Sequence, residues 1–209
     1  QSMSQAHNGF LVCHTSTIHA YAFNANCYFD YPETLIQEYA VMNDFSLAEL
    51  EQRLTRLEDI EAIKQLKARY LNACDRQDPE AVRVCFAKGE VIIDMSYFGR
   101  CENRDEFVDG ILVRRGCHEY VLDMHHCANP EIELLDAANA TGVWCLDYRN
   151  INTQDETVTL MSALYHDRYS KIDGDGKVSG SRTEYRTVLH CGYESGTLQV
   201  QAGARSLWG

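Results

Sequence analysis

From Ser46 onward apolar side chains return every three or four positions, at Leu47, Leu50, Leu54, Leu57, Ile60, Ile63 and Leu66. That spacing is the stripe of one long amphipathic helix. Ser46 stands where an N-cap is needed, and Glu49 three residues later completes a capping box. The pattern carries the helix to about Cys74. The run DRQDPEAV then offers Asp78 as a cap and Pro79 at a first helical position, which predicts a second, shorter helix from Pro79 to about Ala87. A third is expected over Arg104 to Val113, capped by Asn103 and carrying Phe107, Ile111 and Leu112.

After His118 the period falls from 3.6 to 2. The runs EYVLDMHH, EIELLD, ATGVWCLDYRNI, TVTLMSALYHDRYSKI and RTEYRTVLH read as strands, separated by Pro130, by Ala137 to Asn139, by Asn152 to Gln154 and by the Asp-Gly-Asp-Gly at 173–176. Consecutive strands with short turns make an antiparallel sheet. Helices followed by a meandering sheet give an α+β fold, because the βαβ alternation of a parallel sheet is missing. The expectation is a cone-shaped, curved antiparallel sheet wrapped over N-terminal helices, with a cavity between them. Residues 1–41 hold no sustained period and are expected to be an irregular extension, since Met42 reads like a natural start. The domain is placed at 42–194, with 195–209 as a tail.

Composition narrows the function classes. Against 31 acidic residues stand 19 basic ones, a formal charge of −12, which repels phosphate backbones and anionic membrane surfaces. Nucleic acid and membrane are therefore not expected partners, and no apolar stretch approaches the ~20 residues of a bilayer span. Nine cysteines are scattered, odd in number and free of CxxC pairs, so they read as small buried apolar residues in a cytoplasmic protein.

Three elements can carry chemistry. Tyr70 and Asp75 stand five residues apart at the end of the long helix, where regular geometry separates their side chains by about 140°. They converge only if the helix ends there; the plainer alternative is a core tyrosine and a solvated aspartate. In MHHCANPEI the adjacent histidines point to opposite faces, His126 with Met124 and His125 with Val121 and Asp123. Periodicity alone leaves open which of them lines the cavity. In the late strands Trp144, Leu146 and Tyr148 share one face, and Arg182, Glu184, Arg186 and His190 share another. The second set reads as a solvated, paired surface, with Arg186 as the exception. A metal set of His118, Asp123, His125 and His126 is disfavoured because a strand sends those residues to both faces. No phosphate-cradling glycine loop is present.

In order and spacing, LEDIEAIKQLKARYLNACD, MHHCANPEIELLDAANATGVWCLDY and YHDRYSKIDG resemble the SnoaL-like family of the nuclear transport factor 2-like superfamily, and within it the bile acid 7α-dehydratases. The likeness covers about residues 52–190. Its most specific signals are the DIEAIKQLK helix, the Tyr70 to Asp75 spacing and the histidine five residues before Pro130. The resemblance implies a catalytic group of Tyr70, Asp75 and His125, which selects between the two histidines. It implies Tyr148, Arg186 and Trp144 as substrate-binding positions. A further acidic residue of those dehydratases falls on Tyr148, with Asp147 one place earlier, a departure from their pattern.

The implied activity is a cofactor-independent dehydratase, isomerase or cyclase working by general acid/base chemistry on a hydrophobic, polycyclic or polyketide-like substrate, without metal. His125 would remove a proton beside a carbonyl, with Asp75 fixing its tautomer. Tyr70 would donate to the oxyanion or protonate a departing hydroxide. The alternative is a noncatalytic ligand-binding or structural subunit of the same fold, which a cavity with Asp75 turned to solvent would favour. A homodimer or homotrimer is expected, because large antiparallel faces need covering.

Overall fold

The structure, a computed structural model, describes residues 46–194; the expected extension 1–41 and the tail 195–209 lie outside them. The chain divides into two units, 1–48 and 49–209, and the architecture below is that of the second.

Helix α1 spans Leu47–Asp75. Its stripe is buried only in the C-terminal half, through Ile63, Leu66, Lys67, Tyr70, Leu71, Ala73 and Cys74. Leu50, Leu54 and Leu57 remain exposed. Asp59, paired with Lys171 at 2.7 Å, marks where the sheet begins to accompany the helix. The helix closes in a Schellman turn: the Asp78 amide donates to the Ala73 carbonyl and the Gln77 amide to that of Cys74, with Gln77 at a φ of 57°. The Gln77 side chain then donates to the carbonyls of His118 and Val121, each at 2.9 Å. This ties the end of α1 to the start of the strand that carries His125.

Asp78 caps α2 (Pro79–Arg83) by accepting from the Ala81 amide. This helix stops four residues short of the expected Ala87, because the chain is drawn into pairing with the last strand: the Val178 amide donates to Cys85 and the Ala87 amide to Val178, both at 2.9 Å. A hairpin of β1 (Glu90–Asp94) and β2 (Arg100–Asn103) follows. The sequence pattern did not reveal it. Helix α3 (Arg104–Phe107) then widens into a π-helix over Val108–Gly116, in place of the single α-helix expected over 104–113. Asn103 caps α3, accepting from the amides of Asp105 and Glu106 at 3.0 and 2.9 Å. Asn103→Ala should cost about 1 kcal/mol, read as a lower midpoint in denaturant unfolding with an unchanged slope.

Strands β3 (Val121–Leu134), β4 (Asn139–Asn152), β5 (Thr157–Ile172) and β6 (Asp175–Gly192) form an antiparallel meander. The full sheet runs β2-β1-β6-β5-β4-β3. The sheet is mixed in one place, because β1 joins β6 in parallel, with Ile93 opposite Ser181. Pro130 does not end β3 as expected. Ala128 faces Cys145 while Glu131 faces Val143, so Asn129 (φ 50°) and Pro130 ride in a bulge of one continuous strand. A second slip lies in β6: Ser162 faces Thr187 but Ala163 faces Tyr185, leaving Arg186 without a partner position. The alternation of β4 and β5 turns Trp144, Leu146, Ala163, Tyr165 and Tyr169 into the core against α1. The α+β cone is the observed architecture, an open curved sheet with helices on its concave side. No helix among the described residues is long and apolar enough to cross a membrane.

Candidate active site

Between the concave sheet, α1 and the π-helix lies a cavity of about 510 Å³. Its walls are mainly apolar, with Ile93, Phe98, Phe107, Leu112, Leu146 and Met161 among them. Into this hollow β3 turns every second residue, Val121, Asp123 and His125, while His126 faces outward near Arg149. Strand geometry thus places His125, not His126, in the cavity.

Asp75, the last residue of α1, meets His125 from behind. Its carboxylate accepts from the His125 ring Nδ1 at 2.6 Å and from the His125 backbone amide at 3.1 and 3.2 Å. That amide belongs to an edge strand, so a donor without a ladder partner on that side is satisfied by a side chain. The side chains of His125 and Asp75 are only 16% and 14% exposed. An ionised carboxylate only accepts, so the contact directs the Nδ1 proton to Asp75 and leaves Nε2 as the ring nitrogen open to the cavity. The arrangement has the form of a base with its orienting acid.

Tyr70 also lines the cavity, its ring edge-on to Phe86 at 4.9 Å and to Phe107 at 6.3 Å. Tyr70 and Asp75 do not converge on one point: the phenol faces the hollow, and the carboxylate reaches His125 at the helix terminus. Burial, reinforced by the neighbouring Cys74 and Tyr165, pushes the Tyr70 phenol well above its ordinary pKa. Tyr148 packs against the His125 ring at 4.6 Å between centroids and donates its hydroxyl proton to Asp123 at 2.6 Å. Burial, and then the Asp123 carboxylate, raise its pKa.

Trp144 and Arg186 are not brought to the cavity. Trp144 is buried deeper in the core, donating through Nε1 to the Tyr169 hydroxyl at 2.9 Å. A Cβ at the neighbouring Gly142 would lie 3.1 Å from both Trp144 and Tyr169, which would have to give by a few tenths of an ångström. Arg186 lies outside, 61% exposed, bonded to Glu184 at 3.0 Å. The slip in β6 explains why the expected face broke. Ser181, Thr183 and Tyr185 line the cavity, and beyond the extra residue Val188 and His190 do so instead. His190, bonded to Thr159 at 2.8 Å, therefore leaves the outward set of Arg182, Glu184 and Arg186.

Several groups of the cavity were not singled out from sequence. Asn150 donates to Asp123 at 2.7 Å; its position two after Tyr148 was the available signal. Asp123 shares the alternation of His125 but was weighed only as a metal ligand. Among the described residues no three His, Cys, Asp or Glu side chains come together as a ligand cluster. Arg115 enters from the π-helix and Tyr165 from β5, and neither carries a local motif. The described cysteines are all free thiols; burial lifts the Cys127 thiol to about 11, which keeps it protonated at neutral pH.

Solved structures with this fold include a scytalone dehydratase-like protein of Novosphingobium aromaticivorans, 19% identical, with 71% of this chain and 93% of that one covered and a TM-score of 0.59. A hexachlorocyclohexane dehydrochlorinase of Novosphingobium barchaimii is 16% identical over 72% of this chain and 99% of its own, with a TM-score of 0.60. A nuclear transport factor 2-like protein with a cystatin-like fold, also from N. aromaticivorans, is 18% identical over 69% and 92%, with a TM-score of 0.57. The model of the SnoaL-like domain family matches residues 55–182. The chain therefore belongs to the SnoaL-like domain family.

Proposed function

We propose that this protein is a cofactor-independent lyase or isomerase for a hydrophobic, polycyclic or polyketide-like carbonyl compound, with His125 as the base. The observation that carries this reading is the 2.6 Å contact of His125 Nδ1 with Asp75 at the wall of a mainly apolar cavity of about 510 Å³. Asp75 faces His125 and not solvent, which favours an enzyme over a noncatalytic binding module. The names of two structural neighbours, a dehydratase-like protein and a dehydrochlorinase, both denote eliminations.

In the proposed step, His125 Nε2 takes a proton from the carbon beside the carbonyl, and the C–H electron pair forms the enolate. Asp75 stabilises the resulting imidazolium, and Tyr70 donates a hydrogen bond to the oxyanion. When a β-hydroxyl is present, the enolate collapses to expel it and the imidazolium supplies the proton that turns hydroxide into water, restoring neutral His125. Without such a leaving group the proton returns at another carbon and the double bond migrates. A bile-acid-type dehydration is the narrowest form of the proposal; Tyr148, standing where those enzymes carry an acid, argues for a different substrate. A homo-oligomer belongs to the same reading, since β3 offers 14 residues of sheet edge.

The test uses a panel of polycyclic and hydroxylated ketones in deuterium oxide with no cofactor added. Exchange of the acidified C–H, followed by loss of water or double-bond migration, is expected by NMR at least ~10²-fold above buffer. Buffer-level exchange and no product across the panel would count against the lyase reading.

A further inference from the structure

A second hollow, of about 360 Å³, lies against the C-terminal half of α1 and shares none of the described residues that line the main cavity. Arg69 and Arg76 of α1 open onto it, as do Val84 and Cys85 just after α2 and Lys177 in β6. Leu66 and Cys85, both buried, lie at its base. The seam between the segments is closed by backbone bonds, from the Val178 amide to the Cys85 carbonyl and from the Ala87 amide to that of Val178. Lys177 is held as well, its ammonium donating to the Val84 carbonyl at 3.1 Å.

Charge distinguishes this hollow. The buried ammonium of α1, Lys67, is answered by Asp167 at 2.7 Å, and Arg83 of α2 by Glu80, Asp105 and Asp109. Among the described residues Arg69 and Arg76 have no hydrogen bond or ion pair. Seven residues of helix rotate by roughly 700°, so the two stems leave one face about 10 Å apart along the axis, within reach of one ligand for two arginine arms. Lys177 faces Asp175 at 3.7 Å, but that acid is 78% exposed and weakly coupled. Burial pushes the Cys85 thiol up, and the charges of Arg69 and Lys177 pull against it, so both are felt at the base of the hollow. The dipole of α1 favours a cation at Arg76, beside the helix C-terminus. It gives no reason for Arg69 and Lys177 to share the recess, in a chain whose formal charge is −12.

We infer that this hollow is a binding site for a small polyanion, a compound with two or more phosphate or carboxylate groups, held by Arg69 and Arg76 on one side and Lys177 on the other. A guanidinium meets either group with two parallel N–H donors, and the ammonium adds a point charge that requires no fixed orientation. A single anionic group would satisfy one arm; two linked groups engage both arginines. Leu66 and Val84 give the recess an apolar side, which admits a short carbon skeleton. The site draws nothing from proton transfer at His125 and stands apart from the lyase reading. Arg76 directly follows Asp75 in the chain, so the occupant sits beside the turn that carries the partner of His125.

The test is a calorimetric titration of the full-length chain with pyrophosphate and with citrate, in metal-free buffer at constant ionic strength. Saturable binding of at least one of them, with one site per chain, is expected. Saturation by pyrophosphate alone assigns the site to phosphoryl compounds, and by citrate alone to polycarboxylates. Arg69→Gln combined with Arg76→Gln should weaken binding by about tenfold or more, and Lys177→Gln by about threefold or more. As a control, Arg56→Gln with Lys64→Gln removes the same charge from the same helix outside the hollow, and should change affinity by less than about twofold. These four α1 positions are exposed, so the fold does not depend on them. Equal losses in the two double variants would mean that the ligand feels only overall charge, and would overturn the inference. Unchanged affinity in the Arg69 and Arg76 double variant or in Lys177→Gln would do the same, as would no binding of either compound by the parent chain.

Discussion

Replacing His125 with alanine is expected to lower turnover by about 10²- to 10⁴-fold, the usual worth of a positioned general base. The fold should survive, because the ring fills a cavity wall and β3 keeps its pairing with β4. Asp75→Asn should cost a similar factor for a different reason. The amide preserves shape and can still accept from the backbone amide of His125, but it removes the charge that stabilises the imidazolium and fixes its tautomer. The loss should appear in kcat more than in KM, because Asp75 supports His125 from behind while the ligand occupies the cavity. Steady-state kinetics on the substrate found by the exchange screen would decide the matter. Full turnover in both variants would mean that another group removes the proton.

Lys67→Met alone should destabilise the protein by about 3–5 kcal/mol, since it strands a carboxylate in the interior. Asp167 would retain only the Tyr169 and Ser181 hydroxyls as donors, too little to replace a 2.7 Å ammonium contact at 1% exposure. Changing Asp167 to Asn in the same chain removes the stranded charge and should recover most of the loss. Urea unfolding of the two variants and the parent gives the comparison directly. A cost below about 1 kcal/mol for the single variant would mean that water reaches the pair.

Much of this architecture was legible from the order of side chains, and the exceptions have physical causes. The long helix and strands β4 and β5 announce themselves by their periodicity, and TVTLMSALYHDRYSKI delimits β5 over Thr157–Ile172, whereas β3 reads as two runs divided at Pro130 and RTEYRTVLH marks only the later part of β6. The hairpin of β1 and β2 was missed because EVIID and RCEN are too short to establish a period and are separated by a turn at Ser96–Phe98. Lys67 sits on the buried stripe, but a lysine in a helix reads as solvent-facing until its acid, one hundred residues away, is known. The pairing of Asp75 with His125 is implied by the resemblance to the SnoaL-like family; periodicity alone leaves both histidines open and a solvated Asp75 as the plainer alternative. What no local pattern could show was the pair of tyrosines at the floor, Tyr70 and Tyr165, which only the closing of the sheet over α1 brings above one ammonium.

The unpaired Arg186 in β6 has a consequence for how such a cavity diversifies. Because one surplus residue reverses which side chains look inward, Val188 and His190 line the cavity while their neighbours Leu189 and Cys191 meet solvent. Deleting that residue would straighten the ribbon and keep Val188 and His190 inward, whereas moving the kink past Cys191 would turn Thr187, Leu189 and Cys191 inward with no side chain mutated. In this fold, ligand preference can thus be retuned by moving a kink along a ribbon, a change that comparing side chains position by position would miss.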